Sequence, residues 1–106
     1  MKMEDALLLG LARRAAKDPK ALEEFCVRLY PIVRKAAESK IGRSGPDADD
    51  LTQRVMVVAA FRFGQIRTHV LAWVAAILRS KFADLLKEFR RDPVSLDIFE
   101  AEEDSW

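Results

Sequence analysis

Apolar side chains recur along this chain every three or four positions, and each such run stops at a polar or Gly/Pro cluster. Leu7, Leu8, Leu11 and Ala15 share one side of a helix predicted over residues 3–16. Asp18-Pro19 then reads as a helix start, because an Asp side chain accepts from free first-turn N–H groups and Pro fits the first helical position. This second helix is predicted to reach about residue 40, bent at Pro31, where one backbone hydrogen bond is missing. Ile41-Gly42-Arg43-Ser44-Gly45-Pro46 is a turn cluster. A third helix is predicted over residues 46–63, a break over 64–68 and a fourth helix over 69–91, stopped by Asp92-Pro93. No alternating strand pattern and no repeat occurs. The expected fold is all-α, a compact bundle of about four helices.

Length and composition narrow this further. With 106 residues, half of them hydrophobic and a third charged, the chain suits one domain with one modest core. Residues 1–92 are expected to form that domain, and 93–106 an acidic linker or loosely docked tail carrying Leu96, Ile98, Phe99 and Trp106. No run is long and apolar enough for membrane insertion, and Met1 opens no signal-peptide pattern, so a cytoplasmic protein is the expectation. The single cysteine, Cys26, excludes an internal disulfide and reads as a small buried hydrophobe. Net charge is only +1 but unevenly spread: residues 67–92 hold six basic and three acidic side chains, residues 94–106 five acidic and none basic. Any nucleic-acid argument is therefore local.

Two helix faces are candidates for function. On the third helix, Leu51, Val55, Val58 and Ala59 form a core stripe, while Asp49, Asp50, Gln53, Val57, Ala60 and Phe61 fall outward. An outer face that is acidic at its start and apolar further on suits a docking partner. Equally, Asp47, Asp49 and Asp50 complement a helix dipole, and the first helix could cover Val57 and Phe61. On the fourth helix, Leu71, Val74, Ala75, Leu78, Phe82, Leu85, Leu86 and Phe89 make a broad inner arc. Opposite lie Arg79, Lys87, Arg90 and Arg91 among the small residues Ala72, Ala76, Ser80 and Ala83, which let a phosphate backbone approach closely. Cations near a helix end also satisfy the dipole, the blander alternative. His69 stands apart from any Cys, Asp or Glu at ligand spacing, and no phosphate loop, metal signature or nucleophile motif occurs. The expectation is no enzyme, no metal and no cofactor.

Four stretches in order add a resemblance. They are Ala21-Leu-Glu-Glu-Phe25 through Leu29-Tyr30-Pro31 to Ile41-Gly42, Asp47-Ala-Asp-Asp-Leu51-Thr-Gln53, Ala72-Trp73-x-x-x-Ile77-x-Arg79-Ser80-x-x-x-Asp84-x-Leu86, and Pro93-Val-Ser-Leu-Asp97. Over residues 6–97 the chain resembles region 2 of sigma-70 family RNA polymerase sigma factors, most closely the extracytoplasmic-function (ECF) type. The resemblance implies a transcription initiation module that binds RNA polymerase core and recognises and melts the promoter −10 element. Asp49, Asp50, Gln53 and Val57 would face the clamp helices of the β′ subunit. Gln65, Ile66, Arg67 and Thr68 would form the loop that takes an unstacked base of the non-template strand, with Arg79, Ser80, Lys87 and Arg90 facing the DNA. An anti-sigma factor is the further partner implied.

The chain departs from the family at several points. Arg54 stands where the family usually has an acidic residue, which weakens charge pairing with a basic clamp helix, and Ser80 replaces the usual Asn. The segment between the third and fourth helices is shorter than usual, and no helix-turn-helix domain for the −35 element lies within these residues. Two other readings stay open: a sigma-like protein-interaction domain that binds polymerase or an anti-sigma factor without engaging DNA, and an unrelated structural bundle.

Overall fold

The computed structural model describes residues 3–42 and 46–90, and among them there is no strand. Four helices follow in order: α1 Met3–Ala15, α2 Pro19–Ile41, α3 Ala48–Arg62 and α4 Val70–Arg90, with a short 3-10 turn Phe63–Gln65 between the last two. The all-α bundle expected from the periodicity is what the chain forms. The boundary at residue 92, the tail, Arg91 and the side chain of Arg90 lie outside the described residues.

Local chemistry sets most of the boundaries. Asp18 is extended and its side chain accepts from the Lys20 N–H at 3.0 Å, with Pro19 opening α2. The helix runs through Pro31, which is exposed, and stops at Gly42, whose φ of 73° favours glycine and whose N–H donates to the Glu38 carbonyl. Asp47 caps α3 by accepting from the Asp49 N–H at 2.8 Å, so that helix starts two residues later than its period suggested. Thr52, Val55, Val57 and Val58 are poor helix formers, each costing roughly 0.5 kcal/mol against Ala. Full burial of Leu51 and Val55 outweighs this at about 1.5–3 kcal/mol apiece. The buried Thr52 hydroxyl is satisfied by donating to the Ala48 carbonyl at 2.7 Å.

α4 is different, because its first turn is capped from another helix. Asp5 of α1, only 8% exposed, accepts from the Val70 N–H at 2.7 Å and the Leu71 N–H at 3.1 Å through one carboxylate oxygen. The positive end of the α4 dipole stabilises this buried charge, and His69 Nδ1 lies 3.7 Å from the second oxygen. Eight residues on, Arg13 donates to the Arg67 carbonyl at 3.3 Å. One helix thus holds both the loop and the helix that follows it.

α2 is the central element, packed most extensively against α1 and α3. Its stripe Phe25, Leu29, Val33 and Ala37 meets Leu8, Leu11 and Ala12 of α1, and Leu51, Val55 and Ala59 of α3 in one core, which Val70, Val74, Leu78 and Leu85 of α4 complete. Leu7, expected in the α1 stripe, is exposed; Leu8, Leu9, Leu11 and Ala12 take the inner arc instead. Val58 and Phe82, expected in the interior, are only half-buried, as are Trp73 and Ile77; Val58, Trp73 and Ile77 line an open trough between α3 and α4. The Phe82 ring lies under the Lys40 ammonium, 5.6 Å from its centroid. Phe89 is half exposed.

If Asp5 anchors α4, Asp5→Ala should lower stability by about 1–2 kcal/mol, with a fall in Tm of about 4–8 °C for each kcal/mol. Exchange at the Val70 and Leu71 amides should speed up, and Asp5→Asn, which keeps an acceptor, should lose less. An unchanged Tm in Asp5→Ala would remove the anchor from this picture.

Candidate functional site

Asp49, Gln53, Val57 and Phe61 follow one another at four-residue spacing on α3 and so form one line along its outer face. Val57 is 56% and Phe61 83% exposed, so α1 does not cover them. The acids at the start of the line are not free. Asp49 pairs with Arg34 of α2, and Asp50, half-buried, accepts from Arg54 Nε at 3.1 Å. Both carboxylates are neutralised within the chain, and what the face offers uncovered is Gln53, Val57 and Phe61. Such partly exposed pairs are worth at most about 1 kcal/mol, so a stronger external cation can exchange into them.

Arg54 has a role that its position in the motif did not suggest. Its guanidinium forks onto Glu88 of α4, Nη1 at 2.5 Å and Nη2 at 2.8 Å, while Nε holds Asp50. The hydrogen bonds from Arg54 hold the Glu88 carboxyl below the usual glutamate range, and those to Glu88 and then Asp50 raise the Arg54 pKa. This fork ties α3 to α4. Arg54 therefore serves the bundle itself.

On α4, Arg79, Ser80 and Lys87 are exposed among Ala72, Ala76 and Ala83, a shallow strip with no bulky side chain between the cations. Neither Arg79 nor Lys87 has an ion-pair partner among the described residues. Eight residues separate them, about 12 Å along the helix. In the loop before α4, Gln65, Arg67 and Thr68 are exposed, whereas the Ile66 side chain is only 8% exposed and packs in the core, away from the surface the loop presents. The Ile66 N–H donates to the Phe63 carbonyl and Arg13 donates to the Arg67 carbonyl, so the loop is tied at two points.

The trough between α3 and α4 was missed by the periodicity. Two depressions share Val58 and Lys81, one reaching Arg54 and Lys87, the other Arg62, Trp73 and Ile77. Of these residues the helical spacing puts only Val58 in the interior; whether a neighbour covers it depends on how closely the two helices pack. Among the described residues no group of three or more His, Cys, Asp or Glu gathers to hold a metal, and burial raises the Cys26 thiol, which leaves it a poor nucleophile. No described helix is long and apolar enough to cross a membrane.

No protein-family model, curated protein or solved structure matches the chain. The resemblance to sigma region 2 thus rests on the motif residues alone.

The Arg54–Glu88 fork sets a pH dependence. Because the folded-state pKa of Glu88 is depressed, the fork contributes above the ordinary glutamate range and is lost as pH falls through the lower folded value. Glu88→Gln should therefore flatten the stability curve on the acid side, below about pH 4.5, as read by urea midpoints across pH. An acid limb identical to that of the unchanged chain would count against the fork.

Proposed function

We propose that the chain is a sigma region 2-like module, not itself an enzyme, that docks on the clamp helices of the RNA polymerase β′ subunit through α3 and receives the −10 non-template strand on α4. One observation carries this reading: the motif residues Gln53 and Val57 on α3, and Arg79 and Ser80 on α4, all stand exposed on faces the bundle does not use. Phe61 extends the α3 line by one turn and supplies most of its apolar area. An exposed aromatic beside a polar rim is the composition of an interface centre. On α4 the cations position a phosphate backbone, and Gln65, Arg67 and Thr68 supply donors and acceptors for a base edge.

A second reading is favoured by a specific feature. With Ile66 in the core and the Arg67 carbonyl occupied, the loop offers fewer groups to a flipped base, which suits a domain that binds polymerase or an anti-sigma factor without engaging DNA.

Docking is tested by capture on a β′ clamp-helix fragment. Phe61→Ala should reduce retention about tenfold or more, as a central aromatic does when truncated, and Gln53→Ala less. Both side chains are exposed, so folding is not in question, and undiminished retention of the two variants would exclude this face.

Strand binding is tested by fluorescence anisotropy with −10-like single strands. Arg79→Ala and Lys87→Ala should weaken every sequence alike and each reduce the salt slope by about 0.7. Gln65→Ala and Arg67→Ala should instead change base preference. If no strand binds even with polymerase present, the protein-interaction reading takes over.

A further inference from the structure

We infer that the acidic tail of this chain, residues 94–106, seats in the trough between α3 and α4. The trough has an apolar floor that nothing in the described bundle covers: Val57 is exposed, and Val58, Trp73 and Ile77 are half-buried. Its rim carries Arg54, Arg62, Lys81 and Lys87 against Asp84 and Glu88, four cations to two carboxylates. Glu88 is consumed by Arg54, and Lys81 lies 4.0 Å from Asp84. Arg62 and Lys87 are left without an ion-pair partner among the described residues.

The occupant must therefore be acidic with apolar side chains interspersed. The tail has that composition: Asp97, Glu100, Glu102, Glu103 and Asp104 with no base, and Leu96, Ile98, Phe99 and Trp106 among them. Reach is sufficient. α4 spans 21 residues, about 32 Å, and ends at Arg90 beside the Glu88 end of the trough. The sixteen residues 91–106 extend to about 50 Å, so the chain can fold back along α4 and bring Trp106 to the Trp73 end. Tethering gives the segment a local concentration in the millimolar range, which favours it over a free partner of similar chemistry. A tail seated there also covers Val57 and Lys87, one residue of each face proposed to meet polymerase and DNA. That consequence rests on the proposed function; the contact itself does not.

The test uses two-dimensional amide spectra of the full chain and of a full-chain variant with a neutral tail, D97N/E100Q/E102Q/E103Q/D104N, which leaves the bundle untouched. Shift differences should concentrate at Val57, Val58, Ile77 and Lys81, be independent of protein concentration, and vanish in 1 M NaCl, where screening acts over about 3 Å. Arg62→Glu with Lys87→Glu, both exposed and without ion pairs, should reproduce the neutral-tail spectrum in the same positions. Identical bundle spectra, or differences centred on the outer face of α1 and α2, would overturn the inference. Differences that grow with concentration would overturn it in favour of a second copy of the chain.

Discussion

The Asp5 carboxylate decides where α4 begins. No side chain next to Val70 caps that helix, and its first amides would be buried without acceptors if α1 did not supply one. A buried anion is costly alone, and a helix N-terminus with two N–H donors is the partner that makes it tolerable. The two needs cancel at one point, and in doing so fix α1 against α4. With α4 anchored at its first turn, the orientation of Arg79, Ser80 and Lys87 follows from the helical repeat alone.

From this anchor the bundle divides its residues by energy. Phe25, Leu29, Leu51 and Val55, with essentially no exposure, carry the stability. The ion pairs Arg34–Asp49 and Arg54–Glu88 add little energy but tie α2 to α3 and α3 to α4 across the bundle. What remains outside is a line of Gln53, Val57 and Phe61 on one helix and a strip of cations among alanines on another. Neither adds to the fold, and exposed Val and Phe add a solubility cost, so their use is sought in binding.

The helices were legible in the sequence because their signals are local. Asp18-Pro19, Asp47 and Gly42 each act within one turn of the boundary they set. The outward residues of α3 and α4 were legible for a similar reason, since a wheel needs only spacing. Asp5 was not, because its partners are 65 and 66 residues away and nothing around it marks a cap. Ile66 was assigned to the DNA-facing loop by resemblance, yet an isoleucine flanked by polar residues in a short connection is more stable turned inward. The half-exposure of Val58, Trp73 and Ile77 could not be read either, because it depends on how closely α4 packs on α3.

The most direct measurement is site-specific photocrosslinking with a photoreactive phenylalanine analogue in place of Phe61, in the presence of RNA polymerase core. The side chain is 83% exposed and lies at the centre of the docking claim, so the analogue leaves the fold intact. The expected result is an adduct mapping to the clamp-helix segment of β′, absent when the analogue replaces the exposed Val27 on α2. No β′ adduct from position 61, or equal adducts from both positions, would contradict the account.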